Sequence, residues 1–340
     1  MRLRWTRARL LAPIGAGMAL LLVACSGPGT TSTSSAPVQS GTASSSASAQ
    51  SLSWQLVVPK ANSSAVPQVQ QLTDYLSGAL GIPVDAQISP DYATAVNALN
   101  SGRPQAGFLP ALALQQAVSG AGATPILQSV RNGSITYHAQ YMTDTAGAAV
   151  LCSDQPIPSG TNGYLYCNQT GSASQGPAGL AALRKLPRGS TVSFTDPSSA
   201  AGYIFPMLDL LNSTGYDIAG IQRAYAGGFD AAVLAVYNGQ TQVAAGFSDA
   251  RITVARDKPD VGQKVIVFAI TREIPNDGIV VSSGVDPQLR SRISTAILDF
   301  LKTDTGKQVI SQLFSVSDLA PADPASLSIV REAREQVIGH

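Results

Sequence analysis

The sequence predicts an α/β fold, and three observations predict it. Short apolar runs alternate with runs of helical spacing from residue 54 onward. Gly81, Gly102 and Gly215 stand where the helical runs stop. The stretch 54–340 holds 287 residues, long enough for two compact lobes.

The chain opens with a segment outside that fold. Arg2, Arg4, Arg7 and Arg9 form a basic region ahead of the apolar "LLAPIGAGMALLLVA". Residues 1–25 therefore read as a secretory signal peptide. Leu22-Val23-Ala24-Cys25 is similar to a bacterial lipobox, in which Cys25 becomes lipidated and then N-terminal; an ordinary signal peptide that contains a cysteine is the alternative. Residues 26–53 are mostly Ser, Thr, Gly, Ala and Pro, with no charge. That composition buries too little apolar surface to fold and reads as a flexible tether, spanning roughly 30 Å root-mean-square. No later run of eighteen apolar residues predicts a membrane span.

The elements follow in order. "WQLVVP" is a strand ending at a proline. "QVQQLTDYLSGALG" puts Val69, Leu72, Leu76 and Leu80 on one helical face. "IPVDAQIS" is a strand, "DYATAVNALNSG" a helix and "QAGFLP" a strand. After "STVSFTDP", a strand, come a helix through Met207, Leu208, Leu210 and Leu211, the short helix "DAAVLAVYNG" and the strands "TQVAAGFS" and "QKVIVFAIT". "DPQLRSRISTAILDFLK" aligns Leu289, Ile293, Ile297 and Leu301, and "TGKQVISQLF" and "ADPASLSIVREAREQVI" are two more helices. The alternation argues for mainly parallel sheets.

Charge and cysteine content limit the function. The whole chain is +1, but residues 26–340 carry 18 basic and 21 acidic side chains, so nothing suggests a nucleic-acid surface. Any anion must be bound locally. Cys152 and Cys167, in an exported chain, read as a disulfide, worth about 3 kcal/mol in the chain-entropy model. A metal or redox pair would lack C-x-x-C spacing and a nearby histidine. The polar stretch 156–176 reads as a surface excursion pinned by this bond.

"DPSSAAGYIFP", residues 196–206, places small and hydroxylic residues where a helix begins. Free N–H groups and partial positive charge at a helix start suit an anion, and Ser198, Ser199, Ala200, Ala201, Gly202 and Tyr203 are the candidates. N-capping by Ser198 or Ser199 explains the same residues, and Tyr203 also fits a core position. Pro206 is expected to end or kink a helix begun at Ser199.

Six blocks, in order, resemble the phosphonate/phosphite/phosphate-binding proteins of ABC transporters. They are "DYATAVNALNSGRPQAGFLP", "VSFTDPSSAAGYIFP", "YAGGFDAAVLAVYNGQTQVAAGFSD", "IPNDGIVV", "TDTGKQVISQLF" and "LAPADPASLSIVREA". The resemblance implies a type II-like, two-lobed periplasmic binding protein hinged by crossing strands. Lobe 1 is expected at 54–140 and 272–335, and lobe 2 at 141–271. It also implies a monomeric lipoprotein on the outer face of the cytoplasmic membrane. There it would capture a small phosphorus oxyanion or organophosphonate for an ABC permease, with no cofactor or metal. The alternative is a less charged ligand, for import or for sensing.

The departures from the family pattern are specific. Ala200-Ala201 stand where the family has Thr-Ser, Phe229 where it has histidine, and Leu114 where it has tyrosine. Each lost donor to a charged ligand costs about 1.5–3 kcal/mol unless replaced. Asp230, before "AAVLAV", reads as an N-cap ahead of a ligand contact. Asp249 is the better pocket candidate, provided the ligand brings a proton or amine; a surface pair with Arg251 is its alternative. Lys60 and Asn62 follow the first strand at its carboxyl end, where open α/β sheets bind ligands; a solvated lysine is the plainer reading. Catalysis is not expected. The histidines are His138 and His340, and neither G-x-S-x-G nor H-E-x-x-H occurs.

Overall fold

The computed structural model describes residues 51–57, 65–89, 92–172 and 176–338. The expected signal peptide with Cys25, nearly all of the expected tether, and Lys60, Asn62 and His340 lie outside the described residues. The chain begins with β1 (Leu52–Leu56), α1 (Ala65–Leu80), β2 (Val84–Ile88), α2 (Tyr92–Asn100), β3 (Ala106–Leu109), α3 (Ala111–Ala121) and β4 (Thr124–Val130). It continues with β5 (Thr136–Asp144), α4 (Thr145–Leu151), β6 (Ile157–Ser159), β7 (Tyr164–Tyr166) and β8 (Thr191–Phe194). Next come α5 (Phe205–Thr214), β9 (Gln222–Tyr225), α6 (Phe229–Tyr237), β10 (Val243–Phe247), α7 (Val261–Lys264) and β11 (Val265–Pro275). It closes with β12 (Gly278–Val281), α8 (Pro287–Leu301), α9 (Asp304–Phe314), β13 (Asp318–Pro321) and α10 (Pro324–Ile338).

These form two sheets, ordered β13-β4-β12-β3-β1-β2 and β6-β7-β11-β5-β10-β8-β9. Both are mixed rather than mainly parallel. β2-β1-β3 and β9-β8-β10 are parallel. β5 and β11, however, pair antiparallel, and β12 is antiparallel to both β3 and β4. The reason is the chain path. It leaves the first sheet between β4 and β5 and returns between β11 and β12, and outgoing and returning strands laid side by side must oppose one another. Asn276 N–H donates to Ile135 O at 2.9 Å, tying the two passages, and Arg131 grips Asp277 beside them at 2.6 and 2.7 Å. The expected lobe limits at 140/141 and 271/272 fall inside β5 and β11 rather than between elements. Leu52 and Ser53, expected to end the tether, open β1 instead: Leu52 is buried and pairs with Val84.

The helical faces read from spacing pack as cores. Leu72, Leu76 and Leu80 of α1 meet Leu289, Ile293, Ile297 and Leu301 of α8 in one cluster on the first sheet, with Val69 at its edge. Asp286 caps α8 by accepting from Gln288 N–H at 2.8 Å and Leu289 N–H at 3.2 Å. Helix α10 serves both lobes. Its Leu327 joins the cluster of α2 and α3, while Val330, Ala333 and Val337 join that of α5. Cys152 and Cys167 are bonded, with Cα atoms 5.7 Å apart. The stretch they pin is more than a surface excursion, because β7 adds to the second sheet beside β11.

One carboxylate of α5 is buried. Asp209 is 2% exposed, and its Oδ1 accepts from Arg272 at 3.1 Å while Oδ2 has no partner. Burial raises its pKa, against the opposing effect of Arg272. A raised folded value means that Asp209 stabilises fully only below its unfolded pKa, about 3.9. That contribution is lost as pH rises through the folded value. Asp209→Asn removes the titration. Urea unfolding across a pH series should therefore show wild type losing stability relative to the variant over that interval and running parallel above it. A constant difference at every pH would contradict this account.

Candidate functional site

Strands β9, β8 and β10 are adjacent and parallel, so the loops that follow them leave one end of the sheet together. These loops hold residues 195–199, 226–228 and 248–249, and Gly227 N–H donates to Thr195 O at 2.8 Å between the first two. The order of strands thus gathers the Ser198–Tyr203 segment, Phe229 with Asp230, and Asp249.

The loop after β8 is built on local polar contacts. Asp196 Oδ1 accepts from Ser198 N–H at 2.7 Å and from the Ser198 hydroxyl. Ser199 is the N-cap: its Oγ accepts from Gly202 N–H at 2.9 Å. Residues 200–204 then make one π-helical turn, with Ile204 N–H donating to Ser199 O at 3.0 Å, and α5 continues from Phe205. Pro206 does not end the helix: it stands in the first turn of α5, just after the π-helical turn. It has no N–H to offer Gly202 O, and that carbonyl instead accepts from Thr195 N–H at 3.1 Å. The first turn stays open to the strand, and such π turns recur at functional sites. Ala200, Ala201 and Gly202 are buried with little side chain above their backbone. Tyr203 is a core residue, edge-on to Phe194 at 5.2 Å, and its ring lies 5.7 Å from that of Tyr225. Burial first, and the neighbouring Tyr203 second, push the Tyr225 hydroxyl up to about 12.

Phe229 opens α6 and meets Phe247 edge-on at 4.9 Å. Asp230 is not the N-cap. Gly228 is, because the helix starts two residues earlier than a cap at Asp230 implies; Asp230 lies exposed in the first turn, where a carboxylate still complements the helix dipole.

Asp249 is paired with Arg251, but not on the surface. Arg251 is 0% exposed, and Asp249 16%. The guanidinium donates to Asp249 Oδ2 at 2.6 Å through Nη2, and to Oδ1 at 3.0 Å through Nε. Its Nη1 donates to Leu165 O and Val265 O, each at 2.8 Å. The rings of Tyr164 and Tyr166 lie 4.7 and 4.5 Å from its Cζ. Tyr166 Oη donates to Asp249 Oδ2 at 2.7 Å and Gln140 Nε2 to Oδ1 at 3.1 Å. Burial opposes ionisation of Asp249, yet Arg251, Tyr166 and Gln140 together hold its carboxyl below the usual range. Burial, then the Asp249 charge, raise Tyr166 to about 12.

The first-lobe candidate stands differently. Leu114 is buried in α3 among Ala95, Val96, Leu99, Ala113 and Ala117. Pro110 is the N-cap of α3, without a side-chain cap, and Ala111 and Leu112 of that first turn join the second-lobe core. The sequence reading missed Thr195, Gln140, Tyr164 and Tyr166. Thr195 was inside the quoted motif as a hydroxyl at a strand end, and the tyrosines flank Cys167 closely. Gln140 carries no sequence signal.

Two α/β lobes joined by crossing strands, with loops gathered at strand carboxyl ends, define the class of two-lobed periplasmic binding proteins. Within that class, the chain belongs to the family of ABC transporter phosphonate periplasmic substrate-binding proteins, whose model matches residues 56–327. This is a family of transport receptors rather than enzymes, working with an ABC permease outside the cytoplasm. Among the described residues no helix is long and apolar enough to cross a membrane. The fold is similar to that of a Xanthomonas citri protein bound to chloride ion, at 20% identity, with 85% of this chain and 99% of that one covered and a TM-score of 0.65. It is also similar to PhnD1 from Prochlorococcus marinus in complex with methylphosphonate, at 16% identity, with 85% and 99% covered and a TM-score of 0.62. The aliphatic sulphonate binding protein SsuA from Escherichia coli matches at 11% identity, with 85% and 92% covered and a TM-score of 0.54.

Proposed function

We propose that this receptor captures a small organophosphonate, or a related phosphorus oxyanion, and delivers it to an ABC importer. The observation that carries the reading is the Ser199-capped first turn at 200–204, at a strand end, where Ala200, Ala201 and Gly202 put little side chain over the backbone. The charge around it narrows the ligand. Residues 195–199, 226–230 and 247–251 carry three carboxylates, Asp196, Asp230 and Asp249, against one guanidinium, Arg251, which is spent on Asp249. A dianion would meet the most repulsion there, a monoanion less, and a zwitterion whose ammonium faces a carboxylate the least. The same reading takes Cys25 as the lipid attachment site, residues 26–53 as the tether, and the receptor as a monomer beside its permease.

The test is calorimetric titration of the purified protein, stripped of bound ligand by unfolding and refolding. The titrants are phosphate, phosphite, methylphosphonate and 2-aminoethylphosphonate. Micromolar or tighter binding is expected for a phosphonate, with 2-aminoethylphosphonate ahead of phosphate. Binding to none of the four by folded protein would overturn the reading. The apolar residues Ala200, Ala201 and Phe229, packed on Phe247, would then favour a less charged ligand, for import or for sensing.

A further inference from the structure

We infer that Thr195 is a ligand-binding hydroxyl of this site, standing in for one of the donors absent at Ala200 and Ala201. The inference rests on the oxyanion reading above and adds to it a residue from the strand side of the loop.

Thr195 follows β8 and is 4% exposed. Its main chain is fully engaged: N–H donates to Gly202 O at 3.1 Å and O accepts from Gly227 N–H at 2.8 Å. Its hydroxyl is not, since Oγ1 is buried without a hydrogen-bond partner. A buried hydroxyl left unpaired destabilises the fold, and valine would fill the same shape without that cost. The direction of the hydroxyl is fixed by Gly202. A Cβ on Gly202 would overlap Thr195 Oγ1 and would stand 2.8 Å from Ser199 Oγ. Both hydroxyls therefore lie on the Cβ side of one Cα, in the first turn of a helix that runs on through Thr214. Ser199 Oγ accepts from Gly202 N–H and keeps its own proton to donate. Thr195 Oγ1 has its proton free as well. An oxygen of a phosphonate seated at this turn would meet both, one from the cap and one from the strand end.

The experiment compares wild type, Thr195→Val and Thr195→Ser by calorimetry with methylphosphonate and 2-aminoethylphosphonate, alongside melting of the unliganded proteins. Thr195→Val is expected to weaken binding about tenfold to a hundredfold, with an unliganded melting temperature equal to or above wild type. Thr195→Ser is expected to stay within a few-fold of wild type. Equal affinity of wild type and Thr195→Val would overturn the role of Thr195 and leave the oxyanion reading intact. A wild type that binds neither phosphonate would overturn both. Should Thr195→Val not fold, Thr195→Ala set against Thr195→Ser reads the same hydroxyl, and equal affinities of that pair would again overturn the assignment.

Discussion

Arg251→Met is expected to cost about 3–5 kcal/mol of stability, the usual result of removing one partner from a buried ion pair. The side chain is wholly inside the protein, and each of its three nitrogens is hydrogen-bonded. Its loss leaves Asp249 with Tyr166 and Gln140 alone, and it strips Leu165 O and Val265 O of their donor. The planar group also fills the space between the rings of Tyr164 and Tyr166, which the smaller ammonium of lysine would not do. Urea unfolding at neutral pH should show the drop, and amide exchange should quicken in β6 and β7, since Leu165 ties that hairpin to Arg251. The pH response should change sign as well. In wild type the depressed pKa of Asp249 contributes stability that is present above the unfolded value, about 3.9, and is lost as pH falls through the folded value. Without Arg251 the buried carboxyl is expected to prefer its proton, so the variant should recover part of its stability on acidification. The double change Arg251→Met, Asp249→Asn should recover part of it at neutral pH. A loss under 1 kcal/mol in the single variant would mean that the cluster relaxes or hydrates instead of holding the hairpin.

The parts of this molecule that the sequence disclosed are those set by short-range periodicity. The faces of α1 and α8 are spelled by residues three and four apart, and burial follows that spacing. Ser199 as a cap is likewise a local property of a hydroxyl before a helix. What stayed hidden depends on partners far along the chain. The direction of β5 against β11 comes from their being outgoing and returning passages, which no window of ten residues contains. Strands β6 and β7 are three residues each, too short to show alternation, and they hold their place through the disulfide and Arg251. Arg251 was legible as a partner of Asp249, but a surface one; its burial comes with Tyr164 and Tyr166, more than eighty residues earlier. Asp230 missed the cap because Gly228 and Phe229 could also begin the helix. The site was legible as a loop and not as a constellation, because its assembly rests on β9, β8 and β10 being neighbours.

Gly202→Ala should show how tightly that constellation is set. The glycine is not there for a left-handed backbone, since it is not among the positive-φ residues. It is there for space. An added Cβ would overlap Thr195 Oγ1 and approach both Thr195 Cβ and Ser199 Oγ to 2.8 Å. Backing away is blocked on both sides, because Gly202 N–H is held by Ser199 and Gly202 O by Thr195 N–H. The methyl must therefore break the cap, worth about 1 kcal/mol, or push the first turn off the strand, at an overpacking cost of about 1–3 kcal/mol. Either response moves Ser199 and Thr195 apart, so phosphonate affinity should fall further than in Thr195→Val, with the melting temperature falling too. Adding Thr195→Ala removes the overlapping oxygen. The double variant should regain part of the stability while remaining a poor binder, and a coupling of about 0.5–3 kcal/mol should separate it from the sum of the single variants. Strict additivity in stability would show that Gly202 and Thr195 do not compete for the same space, and the packing argument for the site would fail with it.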